Sequence, residues 1–112
     1  MKLIGSKTES DFRIELVRSN EGLRKPESKL RKALESEGHD VSNAYVLHWT
    51  PEQLEDIYVV LIEGSFLVSV EIDKFDSSKQ PIFERIELKD YLHGLSKMNQ
   101  IRLAVAQDLA GV

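Results

Sequence analysis

Apolar positions along the chain follow two rhythms: strand-like runs between about residues 44 and 88, and helix-like stripes on either side of them. The strongest local pattern is "DIYVVLIEGSFLVSVEID", Asp56 to Asp73, in which two β-branched and aromatic runs flank Gly64-Ser65. Such runs around a pair suited to a tight primed turn predict a β-hairpin. With Gly64 and Ser65 as a two-residue loop, Glu63 faces Phe66, and Leu61, Val59 and Ile57 pair with Val68, Val70 and Ile72 on an all-core face. The opposite face sets Ile62, Val60 and Tyr58 beside Leu67, Ser69 and Glu71, so it begins apolar and ends polar. A half-polar face predicts an antiparallel sheet covered by helices on one side.

The run before the hairpin, "YVLHWT" from Tyr45, reads as a strand that Thr50-Pro51 interrupts, and "PEQLED" as one helical turn capped by Thr50. Alternation puts His48 with Val46, away from Tyr45, Leu47 and Trp49. "IFERIEL", Ile82 to Leu88, supplies a fourth short strand, and "LKDYLHG" a short helix ending at Gly94.

Helical patterns bracket these strands. "TESDFRIELVRSNEG" fits a helix capped by Thr8 or Ser10 and packing through Phe12, Leu16 and Val17, but Phe12, Ile14 and Leu16 also alternate as an edge strand would. Residues 8–19 are therefore open between the two, with helix preferred. "PESKLRKALESEG" is a helix with Pro26 at its first position, Gly38 at its end and a thin apolar stripe of Leu30, Ala33 and Leu34. "SKMNQIRLAVAQDLAG" is another, capped by Ser96, stopped by Gly111 and striped by Met98, Ile101, Val105 and Leu109. Leu103 lies off that stripe, so this helix packs on two sides or offers Leu103 to a partner. The whole predicts one α+β domain over residues 1–112: an antiparallel sheet of about four strands with a central hairpin, flanked by N-terminal and C-terminal helices.

Composition narrows the function classes. With no cysteine, thiolate chemistry, disulfides and thiolate zinc sites are excluded. No apolar run approaches the roughly 20 residues of a membrane span, and the opening "MKLIGSKTESD" lacks a signal-peptide core, so a cytoplasmic protein is expected. The net charge of −4 is unevenly placed: residues 1–34 hold nine Lys/Arg against five Asp/Glu, and residues 35–112 six against fourteen. That balance argues against nucleic acid as a partner, because phosphate contacts need clustered cations. Lys25, Lys29 and Lys32 form the one candidate basic stripe, and with the Glu27, Arg31 and Glu35 charge ladder beside it a solvated helix face is the preferred reading.

Candidate chemistry is sparse. His39 and His93 sit at helix ends, where the helix dipole accounts for them. Glu71 and Asp73 share one side of a strand, but position 73 is not the lysine of a metal-dependent nuclease strand, and "DKFDSSKQPIFE" lacks the central glycine of a calcium loop. Gly64-Ser65 lacks the second glycine of a nucleophile elbow, and no glycine-rich phosphate loop exists. No catalytic residue, metal ligand or cofactor is therefore assigned.

What remains is an acidic, aromatic-bearing middle: between Glu52 and Asp90 ten carboxylates face four basic residues, with Trp49, Tyr58 and Phe75 interleaved. Aromatic anchors ringed by carboxylates suit a basic protein partner, and the candidate contact surface is Trp49, Glu52, Glu55, Asp56, Tyr58, Glu71 and Asp73. A merely solubilising acidic surface is the plain alternative. In size, charge and lack of cysteine the chain is similar to bacterial immunity proteins, stoichiometric inhibitors of basic nuclease toxins, although no motif assigns it to a family. Two other classes stand beside this expectation: a small metal-dependent enzyme using Glu52, Asp56, Glu71 and Asp73 with His48 as acid or base, and a self-associating structural subunit, so a homo-oligomer is also possible.

Overall fold

The computed structural model describes residues 1–111 and has the order α1 (Lys7–Leu23), α2 (Lys29–Ser36), β1 (Ala44–Pro51), β2 (Glu55–Ile62), β3 (Phe66–Asp73), β4 (Ile82–Ile86), α3 (Leu88–Leu92), α4 (Lys97–Leu109). The four strands form one antiparallel meander, β1-β2-β3-β4. This is the expected α+β fold.

Residues 8–19 resolve as helix. The cap is Ser6, whose hydroxyl accepts from Glu9 N, while the Glu9 carboxylate accepts from the backbone N–H groups of Ile4 and Gly5. Ser6 and Glu9 thus form a capping box, two residues ahead of Thr8 and four ahead of Ser10, the expected caps. Ser28 rather than Pro26 opens α2, and its stripe of Leu30, Ala33 and Leu34 is buried as expected. At its end Gly38 takes φ 84°, and bonds from His39 N to Leu34 O and from Gly38 N to Glu35 O close a Schellman motif. In α4, capped by Ser96, Leu103 is buried whereas Met98 is exposed, so its packed side is broader than the stripe and shifted from it.

The sheet is covered on both faces. Leu30, Ala33 and Leu34 of α2 pack with Ala44, Val60, Ile62, Val68 and Val70. Phe12 and Leu16 of α1 and Leu103, Val105 and Ala106 of α4 pack with Tyr45, Leu47, Leu61 and Leu67 on the other side. This corrects the expectation of a one-sided sheet: with apolar residues at successive positions, Val60-Leu61-Ile62 and Leu67-Val68, both faces need cover.

Two local features set the registers. Ser65 N bonds to Ile62 O at 2.9 Å, and both central residues of that turn, Glu63 and Gly64, have positive φ (51° and 70°), as a type I′ turn requires. The turn falls one residue earlier than expected and pairing resumes at Phe66, so Leu61 pairs with Leu67, Val60 with Val68, Tyr58 with Val70 and Ile57 with Glu71. The second feature is a bulge between Val46 and His48 in β1. Leu47 and His48 both lie toward α1 and α4, and beyond the bulge the alternation reverses. Trp49 consequently falls on the α2 side, opposite Tyr58.

Helix α1 also closes the free edge of β1. Ser19 Oγ accepts from Val46 N, and the buried Asn20 amide donates to Val41, Ser42 and Ala44 carbonyls at 3.2, 3.2 and 2.8 Å. The turns β1–β2 and β3–β4 lie together at the opposite end of the sheet from the 63–65 turn, joined by a bond from Lys74 N to Leu54 O at 2.9 Å.

Candidate functional site

That two-turn end carries the candidate surface. Residues 52–54 form a strand-to-strand turn, with Glu52 N bonded to Glu55 O at 2.8 Å, instead of the expected helical turn. The consequence is that Leu54 is displayed, 62% exposed, as Trp49 is at 60%. Phe75, in the β3–β4 connection, is 79% exposed, and Ile82 opens β4 exposed. This end thus exposes four large apolar side chains, Trp49, Leu54, Phe75 and Ile82.

The seven sequence-derived residues are all at this end but divide between the two faces. On the α2 side, Trp49 and Tyr58 stack with ring centroids 6.5 Å apart and planes 10° from parallel. The Trp49 indole N–H donates to Asp56 Oδ1 at 3.1 Å, and Lys74 Nζ lies 3.7 Å from the same oxygen. Burial, and then the Asp56 charge, push the Tyr58 phenol above its ordinary pKa, so it stays protonated. On the other side, Glu55 is paired with Asp73, and Glu71 lies between Ile57 and Ile82. The expected apposition of Tyr58 and Glu71 is corrected by the earlier turn: a one-residue slip sends them to opposite faces.

The carboxylates differ in what they are free to do. Asp73 Oδ1 accepts from Phe75 N and Asp76 N at 2.9 and 2.7 Å, with Lys79 Nζ 3.8 Å from Oδ2. Those backbone donors hold its pKa below the usual aspartate value. Asp56 is likewise committed to Trp49 and Lys74. Among the described residues, the side chains of Glu52, Glu55 and Glu71 make no hydrogen bond or ion pair, which leaves them available to an incoming cation. With Glu52, Glu55, Asp56, Glu71, Asp73 and Asp76 this end holds six carboxylates against the two lysines Lys74 and Lys79, both engaged with aspartates.

His48 lies elsewhere. The bulge turns it toward α3, where its Nε2 shares a 2.6 Å hydrogen bond with the Tyr91 hydroxyl. Burial, and secondarily the nearby Arg102, hold its pKa below the ordinary histidine value. Arg102 stacks over Phe12, pairs with Glu15 at 2.9 Å and leaves its Nε unpartnered. The sequence placed His48 with Val46, on the sheet face that carries Tyr58; the bulge is the reason it is not there.

The register also disperses the carboxylates of the metal alternative: Asp56 lies on the α2 face, Glu71 and Asp73 on the other, and Glu52 in the turn. Among the described residues, no three His, Asp or Glu side chains are placed to hold a metal ion. Between Glu55, Glu71, Asp73 and Lys79 there is only a recess of about 20 Å³. No helix among the described residues is long and apolar enough to cross a membrane. The chain matches no protein-family model, no curated protein and no solved structure.

Proposed function

We propose that this protein is a non-catalytic binding module that grips a basic protein partner with the two-turn end of its sheet. The observation that carries this reading is the Trp49–Tyr58 stack, half in water, set at the same end as the unengaged carboxylates Glu52, Glu55 and Glu71. A stacked aromatic pair supplies area for burial at small entropic cost, and unpaired carboxylates steer a cationic surface and discriminate against acidic ones. Because Glu55 and Glu71 lie on the face opposite the stack and Glu52 in the turn between, the partner wraps the end of the sheet instead of lying on one side of it. A partner held in this way is blocked wherever its own basic surface acts, so stoichiometric inhibition, as of a nuclease toxin, is the mode of action we propose.

The test is a comparative capture from the parent cell, read by quantitative mass spectrometry. The wild type and Trp49→Ala are used as parallel baits. A basic protein enriched on the wild type and lost from Trp49→Ala supports the reading; equal recovery of every protein on both baits contradicts it.

A further inference from the structure

On the α2 side of the same end, a groove of about 370 Å³ runs between α2 and the β3–β4 connection. Its α2 wall carries Lys29 and Lys32, one helical turn apart, and its opposite wall is the connection that follows Asp73, with Asp76 and Lys79. The floor is apolar, made by Ala33, Ile72 and Pro81. Lys29 and Lys32 have no carboxylate partner among the described residues, whereas Lys79 is held by Asp73. The helix wall is therefore positive, and on the facing connection Asp76 is the carboxylate that makes no ion pair among the described residues. Phe75, next to Asp76 in sequence, stands 79% exposed.

We infer that two copies of the chain associate about a two-fold axis, each placing Phe75 in the other's groove with Asp76 against the other's Lys29 and Lys32. A two-fold contact must be self-complementary, since residue i meets j while j meets i. This patch holds both halves of such a contact, an apolar knob beside acid and an apolar-floored groove beside base. The occupant is thus another copy of the same surface, and the charge pattern specifies it. A contact made of one side chain and one groove on each copy is of the small kind that gives a weak, rapidly exchanging dimer. It does not depend on the proposed partner.

Sedimentation velocity and light scattering over a concentration series test this directly. The wild-type mass should climb from 12.8 kDa toward twice that value. Phe75→Ser, Lys29→Glu/Lys32→Glu and Asp76→Lys should each stay monomeric over the same range with unchanged circular dichroism. An equimolar mixture of Lys29→Glu/Lys32→Glu with Asp76→Lys should dimerise again, because both contacts then join opposite charges. A wild type that remains monomeric at the highest concentrations, a Phe75→Ser variant that associates like the wild type, or a mixture that stays monomeric overturns the inference.

Discussion

Trp49 and Tyr58 are direct cross-strand neighbours, stacked on the α2 side of the sheet, only because a bulge at Leu47-His48 reverses the alternation of β1. Without the extra residue Trp49 would point toward α4 and His48 would stand over Tyr58. One irregular residue therefore decides which side chain the protein shows at this edge.

The hairpin register can be read chemically, since the chain has no cysteine of its own. Glu55 is directly opposite Asp73, so a Glu55→Cys/Asp73→Cys pair should oxidise readily to an intramolecular disulfide, which needs Cβ atoms about 4 Å apart. Glu55→Cys/Lys74→Cys, the pairing of a two-residue loop, should remain reduced under the same oxidant. The opposite outcome, followed by non-reducing electrophoresis and mass, would place the turn at Gly64-Ser65.

Val70 is fully buried against α2, while Ser69 is half-buried between Val59 and Glu84 on the other face. Val70→Asp should abolish the cooperative thermal transition by burying an unpaired charge. Ser69→Asp should retain it with a lowered Tm, its new carboxylate standing beside Glu84.

Asn20 ties α1 to the chain around β1. Asn20→Ala should cost about 1–3 kcal/mol in denaturant unfolding, because buried carbonyls lose their donor. Asn20→Asp should be at least as damaging, since a carboxylate faces those same carbonyl oxygens. A neutral effect of both would mean that water replaces the amide.

Much of the architecture was legible in the sequence because periodicity and caps agree: the stripe of α2, the Ser96 cap and the apolar strands all lie where the pattern put them. The registers were not, and for one physical reason. Ile57 to Ile62 is apolar at every position, so a slip of one residue leaves the hydrophobic pattern nearly unchanged, and the choice passes to backbone conformation. Glu63 in the left-handed region and the bulge at Leu47-His48 make that choice, and neither residue type announces it. The Ser6-Glu9 capping box, by contrast, was readable from its spacing. Leu54 was hidden by reading its turn as helical, and Asn20 by looking like any polar residue on a helix. The seven candidate residues share an end of the sheet, as their sequence positions imply, but their division between faces follows from the register.

His48 gives the fold a pH dependence with a definite sign. Its folded pKa is lowered, so the unfolded state binds a proton more readily, and stability is full above the unfolded value of about 6.5 and falls as pH drops below it toward the folded pKa. The Tm should decline as the solution is acidified below that value, before the carboxylates titrate, and His48→Gln should flatten the decline. An unchanged slope in His48→Gln would assign it to another group.

Asp56 is tied to Trp49 and Lys74, so reversing it would disturb the stack as well as the charge. Glu52→Lys/Glu55→Lys is the cleaner reversal, and Glu27→Lys/Glu35→Lys in and just before α2 is its control. The most direct measurement is the association rate of the captured partner with wild type, Trp49→Ala and these two charge variants, at low and high ionic strength. The expected result is a wild-type rate that falls steeply with salt, a slow and salt-indifferent Glu52→Lys/Glu55→Lys, an unaltered Glu27→Lys/Glu35→Lys, and a Trp49→Ala complex that dissociates at least about five-fold faster. A partner sensitive to Glu27 and Glu35 but not to Trp49, Glu52 or Glu55 would contradict the account.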